Sequence, residues 1–203
     1  MKQIVKVPHN VLTRPAESIR VFDSKLIAII EDMKKTLRAT RKPKGVGLAA
    51  PQVGFALRMF ITRPKDDDPI RVFINPEIIK RSDALTEGVP ARNATHSVAV
   101  GPEWDPAKRD LASPDNKLEG CLSIDAIWGR VKRASGISLR YQDEVGVSHE
   151  EEFTGFMATI LQHETDHTNG ILFTHRVLEQ KGKLYQSVKD AEGKEALEEI
   201  ILK

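Results

Sequence analysis

The stretch from Phe156 to His167 constrains the fold of this chain more than any other segment. Phe156, Ile160, His163 and His167 fall on one stripe at helical spacing, apolar where it begins and imidazole where it ends. Met157 and Leu161 point the other way, so the segment is apolar over most of its circumference. A helix of that kind is covered by other elements rather than laid on a surface. Thr154 is a fair N-cap, and Asn169-Gly170 offers left-handed residues that stop a helix. The same stretch contains H-E-x-x-H as His163-Glu164-Thr165-Asp166-His167. Two imidazoles four residues apart can bind one divalent cation, and the carboxylate of Glu164, beside the stripe, can take a proton from water. The spacing also allows a plainer reading: two hydrogen-bonded core histidines beside a solvated glutamate.

The rest of the chain supplies elements to cover this helix. Gln3 to Val7 reads as a short edge strand, and Pro8 and Pro15 bracket a loop. Asp23 is a plausible N-cap for a helix with Leu26, Ile30, Met33 and Leu37 at 3.6-residue spacing, ended by Lys42-Pro43. Strands are predicted at Leu57–Arg63, Ile70–Asn75, Arg130–Arg133, Ile137–Tyr141 and, after a turn near Asp143–Gly146, up to Phe153. The tail holds a strand candidate at Leu184–Val188, a turn at Glu192-Gly193 and an ending, Leu197–Leu202, that suits strand or helix. Between about Asp83 and Leu118, Pro90, Pro102, Pro106 and Pro114 interrupt regular structure, which reads as a long surface insertion with a weak strand at His96–Val100. The expectation is an α+β fold in which mixed, mainly antiparallel sheets pack around a buried central helix carrying H-E-x-x-H. One catalytic domain would span 1–203, with the insertion at about 83–117.

Composition narrows the function classes. Lys+Arg 31 against Asp+Glu 29 leaves +2, no electrostatic case for nucleic acid or an acidic membrane surface. The longest apolar runs, such as Leu26-Ile27-Ala28-Ile29-Ile30, are too short to span a bilayer, and no secretory leader is evident. A lone cysteine, Cys121, excludes an internal disulfide and suits a reduced, cytoplasmic setting.

That thiol lies in Glu119-Gly120-Cys121-Leu122-Ser123. A catalytic cation takes three protein ligands and an open position, so Cys121 with His163 and His167 would complete a set of one sulfur and two nitrogens. A buried structural cysteine is the alternative. A third stretch, Gly45-Val46-Gly47-Leu48-Ala49-Ala50-Pro51-Gln52-Val53-Gly54, lacks the lysine of a phosphate-binding loop and the strand-led spacing of a dinucleotide site. Its small residues permit close backbone approach, and the Gln52 amide can donate to an oxyanion. A tight turn packed in the core would use the same residues.

Taken together and in order, Gly45 to Gln52, Glu119 to Ser123 and Gln162 to His167 resemble the peptide deformylases, and Asn75-Pro76 and Gly170-Ile171-Leu172-Phe173 are also similar to that family. The resemblance implies hydrolysis of the N-formyl group from the initiator methionine of nascent polypeptides, releasing formate. It implies that Cys121, His163 and His167 hold one divalent cation, Fe2+ in the family's usual form, with Zn2+ or Ni2+ able to use the same ligands. Glu164 would be the general base, and Gln52 with the Leu122 N–H would stabilise the oxyanion. Gly47 and the backbone near Glu119 would hold an extended peptide, and Val46, Phe156 and Ile160 would surround the methionine side chain. Asp166 and Arg133 would support the metal helix. Thr165 and Thr168 stand where the family more often has a larger apolar residue and leucine, and Trp128 stands near a position that often carries a basic or small residue. The partners implied are the N-formylmethionyl nascent peptide and transient association with the ribosome; the insertion would tune access or be a passive loop. Two other readings stay open: a metallohydrolase of another N-acyl or amide substrate on this scaffold, and an inactive metal-bound interaction module.

Overall fold

The structure is a computed structural model, and it describes residues 1–41, 43–87, 118–189 and 195–201. Helix α1 runs Ser24–Ala39, with the Asp23 side chain accepting from the Leu26 N–H as its N-cap. Its C-cap is Thr40, slightly ahead of the proline signal, because the Thr40 N–H turns back to the Leu37 carbonyl. Strands β1 Gly47–Ala49, β2 Met59–Thr62 and β3 Arg71–Arg81 follow, then β4 Leu85–Glu87, β5 Glu119–Cys121, β6 Ile124–Gly129, β7 Lys132–Ala134, β8 Gly136–Gln142 and β9 Ser148–Thr154. Helices α2 Gly155–Thr168 and α3 Phe173–Glu179 come next, and strands β10 Leu184–Lys189 and β11 Glu195–Glu199 finish the described chain. Fold class is therefore mixed, with antiparallel sheets and few helices.

The strands form a five-stranded sheet ordered β1-β2-β3-β8-β9, a four-stranded sheet ordered β11-β10-β6-β5, and the pair β4-β7. Every ladder pairing between them is antiparallel. The two-residue period of the five-stranded sheet decides what lies on each face. Leu48, Met59, Ile61, Val72 and Ile74 point to one side and meet Leu26, Ile30, Met33 and Leu37 of α1. Ala49, Phe60, Phe73, Leu139 and Phe153 point to the other and meet Ala158 and Leu161 of α2. A third cluster, including Leu12, Cys121, Ile124, Phe173, Val177 and Leu184, joins α3 to the four-stranded sheet. In α2 every residue from Ala158 to Thr168 is buried.

Several expectations need correction. Residues 3–7 are not a strand of any sheet, because their N–H groups go to different elements: Val5 to the Gln52 carbonyl at 2.8 Å and Val7 to that of Ser123 at 3.1 Å. Strand β3 does not stop at Asn75. It continues to Arg81 through register shifts between Ile74 and Glu77 and between Ile78 and Lys80. Asn75 takes φ 51 and Pro76 has no N–H to give, a combination that a bulge tolerates. Thr154 occupies the N-cap of α2 without a side-chain hydrogen bond, and of the Asn169-Gly170 pair only Gly170 is left-handed, at φ 73. Strand β6 lies where no strand is expected, because Ile124-Asp125-Ala126-Ile127-Trp128-Gly129 does not alternate apolar and polar residues. The chain end resolves as strand β11, paired along β10 from Glu195 to Glu199. Within the predicted insertion, Leu85–Glu87 forms β4 on β7. The strand at His96–Val100, the turn at Glu192-Gly193 and most of the 83–117 insertion lie outside the described residues. No described helix is long and apolar enough to cross a membrane.

Candidate metal centre

Three elements bring the sequence motifs to one place. The edge strand β5 presents Cys121, α2 presents His163 and His167 one turn apart, and the turn after β1 presents Gln52. One ligand atom from each of Cys121, His163 and His167 lies within 4.8 Å of the other two, and all three residues are buried. The Cys121 Sγ is 3.2 Å from His167 Nε2, and the two imidazoles stand nearly edge to face, centroids 4.9 Å apart. The His163 Nδ1 is 3.1 Å from Glu119 Oε2, which leaves its Nε2 for the shared centre. A cavity of about 20 Å³, lined by Gly45, Val46, Gly47, Gln52, Gly120, Cys121, Leu122, Ile160, His163 and Glu164, opens beside these atoms. Its volume suits about one small occupant.

The donor chemistry suits a divalent cation. Burial alone would raise the Cys121 thiol, but the His167 and His163 rings beside it outweigh burial and bring it down to about 5, which favours the thiolate. One thiolate and two imidazoles form a set that Zn2+, Fe2+ and Ni2+ all accept. The buried His167 Nδ1 and Glu164 Oε2 have no hydrogen-bond partner among the described residues. Burial lifts the Glu164 carboxyl to about 7, against the pull of His163 and His167. A carboxyl poised there can hold or release a proton near neutrality. Gly47 makes room for it: a Cβ at that position would lie 2.2 Å from Glu164 Oε1. Gly120 similarly admits the Trp128 ring, to which a Cβ would come within 2.6 Å.

The Gln52 amide is held at both ends. Its oxygen accepts from the Ala49 N–H at 2.8 Å, and its nitrogen donates to Cys121 Sγ at 3.4 Å, so the NH2 group faces the cavity. Val46, Gly47, Leu122 and Ile160 line the cavity, whereas Phe156 is only half-buried and lies outside that lining. Arg133 and Asp166 are brought together, Nη1 to Oδ2 at 2.9 Å.

Two features escaped the sequence reading. The Glu119 side chain, expected to contribute only its backbone, is 1% exposed and chelated by Arg133 Nε and Nη2 at 2.6 and 2.9 Å. Burial would raise this carboxyl, but Arg133 and the His163 ring outweigh it and hold it at about 2. Arg176 of α3 grips Asp166 from the other side, Nη2 to Oδ1 at 2.7 Å. A continuous chain Arg176–Asp166–Arg133–Glu119–His163 thus runs from α3 to the imidazole. The acidic residue preceding the cysteine and the arginine ten residues after Asp166 were the only signals available, and neither spacing is periodic.

A buried helix that sets two histidines and a glutamate against a thiolate defines a class, the metallohydrolases with an open cation site. The family model for polypeptide deformylase matches residues 1–183, and the chain belongs to that family. It is an enzyme, a deformylase by family. Peptide deformylase 1 of Bacillus cereus is 35% identical over 175 residues, covering 86% of this chain and 91% of its own length. Peptide deformylase 1 of Bacillus subtilis is 33% identical over 177 residues, covering 87% and 90%. The crystal structure of the peptide deformylase from Thermotoga maritima superposes with a TM-score of 0.68 at 31% identity, covering 87% of this chain and 97% of that one. These relationships favour neither alternative reading, the differently directed amidase or the inactive module.

Proposed function

We propose that this chain removes the N-formyl group from N-formylmethionyl nascent peptides, with Cys121, His163 and His167 holding one divalent cation. The observation that carries the reading is the convergence of those three ligand atoms within 4.8 Å, with Glu164 lining the cavity beside them. Ferrous iron is the assigned cation, on the family resemblance; zinc and nickel suit the same donors. Bound there, the cation would supply Lewis-acid polarisation of water and of the formyl carbonyl.

The protein's own groups do the remaining work. Glu164 takes a proton from the water that attacks the formyl carbon, then delivers it to the departing amine as the C–N bond breaks. The Gln52 NH2, fixed by the Ala49 N–H on its other end, and the N–H of Leu122 donate to the oxygen on which negative charge grows. Val46 and Ile160 line the space for the methionine side chain. β1 and β5, edge strands of two different sheets, offer Gly47 and Glu119 backbone to an extended peptide. Asp166 and Arg133 hold α2 in register with β5 through buried ion pairs. In this reading the whole chain is one catalytic unit built around a central helix, working in the cytoplasm in transient contact with the ribosome. The insertion would tune access to the cleft.

A formate-release assay on formyl-Met-Ala-Ser, paired with metal analysis, tests the reading. Glu164→Gln is expected to retain the cation and lose about 10²–10⁴ in turnover. Parent-like turnover in that variant, or a parent inert with iron loaded anaerobically, sinks it.

A further inference from the structure

The connection that presents the Leu122 N–H is unusual. Cys121 pairs with Ile124, so Leu122 and Ser123 form a two-residue link between β5 and β6. Such links favour residues with positive φ, because only those turns follow the twist of the flanking strands. Neither Leu122 nor Ser123 has positive φ. The β5-β6 ladder is also shifted in register between Glu119 and Cys121. The local backbone therefore does not by itself fix where the Leu122 N–H points.

An extended segment from outside both sheets supplies what is missing. The Lys6 Nζ donates to the Leu122 carbonyl at 2.7 Å. The Val7 N–H donates to the Ser123 carbonyl at 3.1 Å, and the Val5 N–H to the Gln52 carbonyl at 2.8 Å. Three consecutive residues thus tie the link carrying Leu122 to the turn carrying Gln52. Val5 packs against the cluster that contains Cys121, so the segment is anchored from below. Lys6 also pairs with Asp125 on β6.

We propose that residues 5–7 are a brace that sets the spacing and aim of the two oxyanion donors, and that Lys6 is its positioning residue. Holding the plane of the Leu122–Ser123 peptide restricts rotation at the Leu122 Cα and hence the direction of the N–H on its other side. Lys6 touches no reacting atom; it acts through Leu122. The inference rests on the assignment of Gln52 and the Leu122 N–H as oxyanion donors, and Gln52→Ala tests that assignment separately.

The experiment measures kcat and KM for formyl-Met-Ala-Ser, bound iron and Tm in the full chain and in Lys6→Met, Lys6→Arg, Asp125→Asn and Gln52→Ala. Lys6→Met is expected to lower kcat by about 10–100-fold, with KM within about twofold and iron content unchanged. Lys6→Arg, which keeps a donor, recovers most of kcat, and Asp125→Asn keeps it. Parental kcat in Lys6→Met overturns the proposal, as does a loss expressed in KM or in iron content, or an equal loss in Lys6→Arg. Should Lys6→Met fail to fold, Lys6→Gln takes its place, and parental kcat there overturns the proposal equally. Parental kcat in Gln52→Ala removes the oxyanion assignment itself.

Discussion

Helices α1 and α2 pack on opposite faces of one sheet, yet they are built on different terms. α1 buries Leu26, Ile30, Met33, Thr36 and Leu37 and turns Glu31 and Lys35 to solvent. Its charges meet on the surface, as in the Lys34 pairs with Glu31 and Glu144. The second half of α2 buries Gln162, His163, Glu164, Thr165, Asp166, His167 and Thr168 together. Most of these find partners: Gln162 spans the Ala134 N–H and carbonyl, Asp166 takes two arginines, Thr168 donates to the Thr165 carbonyl and His163 meets Glu119. Glu164 Oε2, His167 Nδ1 and Thr165 Oγ1 find none among the described residues. Two of the three leftover atoms belong to Glu164 and His167, beside the candidate centre, whereas Thr165 has no part in it.

Removing the cation should widen this contrast most. Chelation is expected to lower formate release by at least about 100-fold, since the Lewis acid is lost, while backbone hydrogen exchange in α1 stays unchanged. A chelated protein that keeps its turnover would erase the distinction. Next in size is Arg133→Met, which takes the chelating guanidinium from the buried Glu119 and leaves Asp166 to Arg176 alone; a loss of about 3–5 kcal/mol is expected in urea unfolding. Lys34→Met on α1 should stay within about 1 kcal/mol. Equal losses would show that burial makes no difference to these ion pairs.

A smaller effect should appear on acidification. Burial would raise the Asp166 carboxyl, but Arg176 and Arg133 outweigh it and hold it below its ordinary 3.8. Because its folded-state pKa is depressed, its stabilisation is present above pH 3.8 and lost as pH falls through the lower folded value. The stability gap between the parent and Asp166→Asn should therefore be constant near neutrality and close in strong acid. Glu31, lowered chiefly by its surface hydrogen bond to Lys34, should show almost none of this in Glu31→Gln. Smallest is Thr165→Val, which removes an unpartnered hydroxyl at nearly constant volume. Unfolding should show no loss and up to about 1 kcal/mol of gain. A loss beyond 1 kcal/mol, roughly the net worth of a hydrogen bond, would reveal a partner for that oxygen.

The same contrast explains what could be read from the sequence. α1 was legible because Leu26, Ile30, Met33 and Leu37 share one face, and α2 because its circumference is apolar and its two histidines lie four apart. Cys121 and Gln52 were legible through the company of neighbouring small residues and through resemblance, not through spacing alone. Glu119 and Arg176 were not. Each is defined by a partner on another element, and a carboxylate or guanidinium carries no mark in the sequence of which charge it will face. Residues 3–7 misled for a related reason: an apolar alternation looks like a strand whether its N–H groups meet one neighbour or several. β6 was missed because its residues lack that alternation.

Asp166 has a consequence for how far this chain can be shortened. Arg133 on β7 donates to its Oδ2, and Arg176 on α3 spans both Oδ1 and Oδ2. A fragment ending ahead of residue 176 would retain every motif that identifies the family and all three thiolate and imidazole donors. It would lack the second anchor of the helix that carries two of them. The smallest working enzyme is therefore expected to reach at least Arg176, a residue that lies outside the cavity and touches the helix only from its far side.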